Sequence, residues 1–225
     1  MQPPEKKPDS IDELLKRTHF IAGQTLGDLA VAAGIAIPND FKKQKGWTGQ
    51  LMERWLGAQA GSKPEQDFAH LGIELKTLPI TTSGNVLETT YVCYAHLTGV
   101  QGVTWETSSV KNKLARVLWL PIIGERQVPP AQRQVGSAFL WTPSQQQEQQ
   151  LRLDWEEHME AIVLGKLNNL NASQGQYLQI RPKAADGAKV TEVIDDEGEK
   201  IKTRPRGFYL RRQFTQVILD RAFGL

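Results

Sequence analysis

A single cysteine, Cys93, stands in the 225 residues, so no internal disulfide can form. One thiol also leaves a structural zinc site short of its usual ligands, and both facts fit a reducing compartment. Long apolar runs are missing too: none approaches the roughly 18 residues a membrane-crossing helix needs. The N-terminus, Met1-Gln2-Pro3-Pro4-Glu5-Lys6-Lys7-Pro8, lacks the apolar centre of a signal peptide. The expectation is a soluble, cytoplasmic protein that is not exported. Charge of one sign is also scarce. Lys and Arg number 27 against 25 Asp and Glu, and a net +2 does not by itself announce a nucleic-acid binder. No internal repeat is present. What remains, 40% hydrophobic and 23% charged residues, describes an ordinary globular chain of one large domain or two intimate subdomains.

The stretch richest in chemistry is Asp67-Phe68-Ala69-His70-Leu71-Gly72-Ile73-Glu74-Leu75-Lys76. Leu71, Ile73 and Leu75 alternate with Gly72, Glu74 and Lys76, the period-2 signal of a half-buried strand. The spacing predicts a strand over Asp67–Lys76 with Glu74 and Lys76 on one face. Asp67 can fold back beside them. Two carboxylates suit Mg²⁺, which takes one or two protein acids and keeps several waters. A neighbouring lysine can orient a water or offset charge on a phosphoryl group. Acid-x-Lys triplets also occur at Glu5-Lys7 and Asp40-Lys42, but neither lies on an alternating strand with an upstream acid. An exposed surface ion pair is the competing reading of Glu74 and Lys76.

Along the chain, residues 1–9 read as a flexible terminus and Ser10-Ile11-Asp12-Glu13 as a capped helix start. Helices follow from Thr25 and from Gly46-Trp47 to Gly57, the latter carrying Glu53. The turn Thr81-Thr82-Ser83-Gly84-Asn85 predicts that a strand over Leu87–Leu97 returns antiparallel as a hairpin. Ser108-Ser109 caps a short helix bearing Lys111 and Lys113, and Val117-Leu118-Trp119-Leu120 reads as a buried strand. Thr142-Pro143 is expected to open the longest helix, 143–169, in which Leu151, Trp155, Met159 and Ile162 form the apolar stripe. A strand at Tyr177–Ile180 and a last strand or turn through Pro205–Tyr209 precede a C-terminal helix. Cys93 reads as buried packing and His70 as a partly exposed structural histidine. The fold class is α/β, a mixed α+β sheet flanked by helices. Cations bunch at Lys42-Lys43-Lys45, Lys111-Lys113-Arg116, Arg181-Lys183 and Arg204-Arg206-Arg211-Arg212.

Six blocks together carry a resemblance to a known family. They are Lys45-Gly46-Trp47, Gly61–Phe68, Glu74–Thr77, Gly102–Thr107, Tyr177–Ala185 and Pro205–Leu210. In this order the chain resembles the MutH family of DNA mismatch-repair endonucleases from about residue 10 onward. The resemblance implies a restriction-endonuclease-like fold, with two subdomains around a DNA-binding cleft within a single endonuclease domain, 10–225. Catalytic residues would lie mainly in 45–120 and DNA-recognition residues mainly in 170–212. It implies Mg²⁺-dependent nicking of the unmethylated strand at hemimethylated GATC sites, 5′ to the G. Activation would come from MutL in concert with MutS, on a monomer.

By that resemblance Asp67, Glu74 and the Leu75 carbonyl would hold the metal, and Lys76 would orient water or steady the transition state. Glu53 would border the metal site, and Lys113 would lie near the scissile phosphate. Lys45 and Tyr91 would contact DNA, Tyr91 as a wedge between bases. Arg181 would contact guanine O6 and N7 in the major groove and Lys183 a base edge or a phosphate, with Pro182, between them, holding Arg181 extended. Tyr209 would lie against the adenine whose methylation is sensed. Two alternatives remain open: a GATC-binding methylation reader without catalysis, and a restriction-type endonuclease of the same fold with another target.

Overall fold

The computed structural model describes residues 2–40, 44, 46–58, 65–167, 170–183 and 190–224. The chain divides into two compact units, each assembled from separate stretches of sequence. The first comprises 1–88 and 115–142, the second 89–114 and 143–225. Tyr91 and Lys113 therefore belong to the second unit, with Arg181, Lys183 and Tyr209.

In the first unit, helices α1 (Ile11–Ile21), α2 (Leu26–Ala32) and α3 (Trp47–Leu56) pack on a four-stranded mixed sheet. Ser10 caps α1 by accepting the Glu13 N–H, and Thr25 caps α2 by accepting the Asp28 N–H. Gly57, at φ +79°, closes α3 in the left-handed conformation. Strand β1 (Glu74–Ile80) runs parallel to β3 (Val117–Ile123), with Glu74 beside Val117 and Lys76 beside Trp119. Two short antiparallel strands, β4 (Gln134–Val135) and β5 (Phe139–Trp141), cover the other edge of β3. Leu75, Leu118, Leu120 and Ile122 turn into the helical core with Leu14, Leu51, Trp55 and Phe68. Residues 2–9 carry no helix or strand, yet Arg17 donates to the Lys6 carbonyl and a His70 ring nitrogen lies 2.7 Å from that of Pro8.

The second unit contains a three-stranded antiparallel sheet in the order β2 (Thr90–Ala95), β9 (Arg206–Leu210), β6 (Leu178–Pro182). Helices α4 (Ser109–Leu114), α5 (Gln145–Val163) and α6 (Arg212–Phe223) accompany it. The strands β7 (Thr191–Ile194) and β8 (Lys200–Thr203) form a separate hairpin. The acidic stretch Asp195–Glu199 is its turn. Among the described residues no helix is long and apolar enough to cross a membrane.

Three sequence expectations are corrected. The strand begins at Glu74, not Asp67: residues 69–71 form a 3-10 turn that Gly72 ends at φ +67°. The strand 90–95 does not return beside β1. A single bridge, Ile80 to Val86, closes the turn, after which the chain enters the second unit and pairs with β9. The longest helix spans Gln145–Val163, because Ser144 and Gln147 form a reciprocal capping box one residue beyond the Thr142-Pro143 pair.

Candidate active site and nucleic-acid interface

Parallel pairing decides what the start of β1 presents. The Glu74 N–H donates to the Arg116 carbonyl, on the β3 side, at 3.0 Å. Leu75, next along the strand, therefore turns its N–H and its carbonyl to the opposite edge. There the N–H donates to Asp67 Oδ2 at 2.8 Å. The 3-10 turn and the mutual bonds between Phe68 and Ile73 fold Asp67 back to reach it. The Leu75 carbonyl and the Asp67 carboxylate thus share one edge of β1. Pro79 has the same parity, so its missing N–H costs no bond to β3.

Glu74 and Lys76 lie on one strand face, as their spacing requires, and Lys76 Nζ donates to Glu74 Oε1 at 2.6 Å. The surface-pair reading fails here, because Glu74 is only 2% exposed. The strand is not half-exposed: its neighbour is parallel, and parallel sheets are covered on both faces. Val117 and Trp119 continue the Glu74–Lys76 face across the sheet. Trp119 is fully buried, with no hydrogen-bond partner for its indole Nε1 among the described residues.

Glu53 is half-buried on α3, a helix packed against β1, with Oε1 back over Gly49. Among the described residues no three His, Cys, Asp or Glu side chains gather as a metal cluster. Two hard-oxygen acids drawn to one strand start do meet the smaller requirement of Mg²⁺. Lys113 is buried on α4 in the second unit, 8% exposed. Lys45 lies outside the described residues.

Of the nucleic-acid candidates in the second unit, Tyr91, Arg181, Lys183 and Tyr209 lie on one face of its sheet and Pro182 on the other. Gln179 stands beside Tyr209 and Arg181 beside Gly207, and the Lys183 N–H donates to Pro205 O, extending the ladder. In β2, Tyr91 pairs with Tyr209 and Tyr94 with Gly207, while Cys93 pairs with Phe208. Val92 is the extra residue of a bulge, and that bulge puts Tyr91 and Tyr94, three apart, on the same side. The Tyr91 and Tyr209 rings meet edge-on at 5.3 Å. They do so across Gly207, where a Cβ would come within 2.8 Å of the Tyr91 ring. Lys183 Nζ bonds the Tyr91 hydroxyl and sits 4.1 Å from its ring centroid. The Arg181 guanidinium is 5.8 Å from the Tyr209 ring centroid and donates to Thr89 Oγ1 at 2.8 Å. Arg181, Pro182 and Lys183 are exposed. Burial pushes the Tyr91 and Tyr209 phenols above their ordinary range, so both stay protonated near neutral pH.

Tyr94, Thr89 and Gly207 escaped the reading of the sequence, since the bulge that aligns the tyrosines leaves no mark in spacing. Asp154 was missed as well, although a signal is there: it sits on the buried side of α5 between Leu151 and Trp155. Its buried carboxylate accepts the N–H groups of Gln176, Tyr177 and Leu178 and the Gln150 amide, seating the start of β6. Arg206 and Arg211 fall in one of the cation clusters of the sequence, Arg204-Arg206-Arg211-Arg212. They donate to the carbonyls of Leu167 and Leu170, and of Ala172 and Gln174, tying down the loop before β6.

Residues 56–154 match the family described as DNA mismatch repair enzyme MutH. Over 216 residues the chain is 56% identical to the DNA mismatch repair protein MutH of Shigella boydii serotype 18. It is equally similar to those of Escherichia coli O127:H6 and O157:H7. The alignments cover 96% of this chain and 94% of each relative. The mixed sheet flanked by helices is consistent with the restriction-endonuclease-like fold, and with identity at this level over nearly the full length the chain belongs to the MutH family of DNA mismatch-repair endonucleases.

Proposed function

We propose that this chain nicks the unmethylated strand of hemimethylated GATC sites, 5′ to the G, in a Mg²⁺-dependent reaction activated by MutL with MutS. We place it in the cytoplasm, acting as a monomer. The observation that carries the reading is the start of β1, where the Asp67 carboxylate meets Leu75 and the buried Glu74 meets Lys76. Asp67, Glu74 and the Leu75 carbonyl would hold the ion, with Glu53 at its border. Bound there, it supplies positive charge at the scissile phosphate.

Lys76 brings a cation to the same strand face. It orients the attacking water or offsets negative charge gathering on the phosphoryl group. Its bond to Glu74 fixes the direction of a side chain that would otherwise sample many rotamers. Lys113 is assigned to the phosphate as a second cation.

Target choice falls to the sheet face of the second unit. Arg181 has the planar fork that matches guanine O6 and N7 in the major groove, and Lys183 suits a base edge or a phosphate. Pro182 keeps Arg181 extended. The Tyr209 ring would lie against the adenine N6 edge and reject a methyl group sterically. Tyr91 is assigned as the wedge between bases and Lys45 as a further DNA contact.

The test is nicking of a duplex with one hemimethylated GATC, with and without MutL, by wild type and by Glu74→Ala. Mg²⁺-dependent nicking by the wild type alone is expected. Equal nicking by both proteins removes Glu74 from the mechanism. Selective binding without nicking favours a reader, and nicking only at another tetranucleotide favours a restriction-type enzyme.

A further inference from the structure

The cations from β8 to the start of α6 are of two kinds. Arg206 and Arg211 are committed to loop carbonyls, as described above. Lys200, Lys202 and Arg204 differ: exposure alternates from Lys200 through Ile201, Lys202 and Thr203 to Arg204, with the three cations on the exposed side. Alternate residues of an extended chain lie about 6.8 Å apart, so Lys200 and Lys202 of β8 and Arg204, one residue past its end, form a line about 14 Å long. None of them is in an ion pair among the described residues. Glu192, beside Lys202 in the hairpin, is the acid of this face, and Ile194 lies beside Lys200.

The hairpin is polarised along its length. Asp196, Glu197 and Glu199 are exposed at its turn, while Asp195 turns inward and accepts the Glu197 and Glu199 N–H groups. A Cβ on Gly165 would fall 2.4 Å from the Asp195 carbonyl carbon, so the turn lies against the residues that follow α5. At the other end Arg204 precedes Pro205, whose carbonyl accepts the Lys183 N–H at 2.8 Å. The basic line therefore ends at the strand pair that carries Arg181 and Lys183, and the acids lie at the end away from it.

We infer that the exposed face of β8 is a DNA phosphate-backbone contact, a sequence-independent arm continuing outward from the base-reading end of β6. The inference rests on the proposed reading of the chain as a GATC-directed endonuclease, and it assigns the hairpin no part in base choice. Lysine and arginine at strand spacing suit a row of phosphates. The acidic turn disfavours the reverse placement, since acids against a polyanion repel.

The test uses the full chain with two duplexes of equal length, one with a hemimethylated GATC and one without GATC. Binding is titrated across salt concentrations without divalent ions. The variant Lys200→Gln/Lys202→Gln/Arg204→Gln should weaken binding to both duplexes by a common factor. Its slope of log affinity against log salt should shrink by up to about 2.7, roughly 0.9 for each of three phosphate contacts. The charge-keeping Lys200→Arg/Lys202→Arg variant should keep the wild-type slope. An unchanged slope in the glutamine variant overturns the inference, as does an equal loss in both variants, which would make the lysines structural. A wild type that binds both duplexes without preference counts against the GATC reading instead, because the hairpin concerns only the binding the duplexes share.

Discussion

Asp67 Oδ2 accepts the Leu75 N–H at 2.8 Å across eight residues of chain, and this bond sets the acid beside the strand that starts at Glu74. Asparagine keeps an oxygen that can accept the same bond while removing the charge. Asp67→Asn should therefore melt within a few degrees of wild type yet lose nicking by about 10²-fold or more, the scale of one lost electrostatic contact to a transition state. A thermal melt beside a nicking assay checks both halves.

Glu74 and Lys76 make a pair taken largely out of water, at 2.6 Å. Removing one partner of such a pair costs about 3–5 kcal/mol, whereas replacing both is often near neutral. Lys76→Met should be destabilised on that scale, and Glu74→Gln/Lys76→Met should recover most of the loss while remaining inactive. Urea unfolding of the single and double variants measures the difference.

Gly207 is the place where the Tyr91 and Tyr209 rings cross β9. An added Cβ would lie 2.8 Å from the Tyr91 ring and 3.2 Å from the Cys93 carbonyl. Gly207→Ala should cost about 1–3 kcal/mol, the usual scale of overpacking, and weaken DNA binding by displacing Tyr91. Denaturant unfolding and a binding titration report the two effects separately.

His158 is buried on α5, with a ring nitrogen 3.2 Å from the Leu178 carbonyl and Nδ1 without a partner among the described residues. Burial lowers its pKa below the ordinary 6.5. The unfolded chain therefore binds the proton more readily. This contribution to stability is complete above about pH 6.5 and is lost as pH falls below it. Unfolding free energy should decline toward acid with up to about 1.4 kcal/mol per pH unit from this one group. His158→Gln should flatten that part of the profile, read by urea melts between pH 7 and 5.

The elements that repeat a local rule were legible in the sequence. Ser10, Thr25 and Gly57 mark helix ends, and the continuously apolar Val117–Leu120 is a buried strand. Glu74 and Lys76 share a face because strand alternation demands it. What stayed hidden depends on partners distant in the chain. The parallel pairing of β1 with β3 buried Glu74, and the pairing of β2 with β9 replaced an expected hairpin. A bulge at Val92 brought Tyr94 alongside Tyr91. What Arg206 and Arg211 bind stayed hidden because the carbonyls they reach lie some 35–40 residues earlier.

The central claim is a metal-dependent cut on a chosen strand. Its most direct test is a duplex with a single hemimethylated GATC and a different label on each strand, incubated with the protein, MutL and Mg²⁺. The prediction is a nick 5′ to the G on the unmethylated strand alone, absent without the metal and absent for Asp67→Asn. Equal cutting of both strands, or cutting that persists when the metal is chelated, would contradict it.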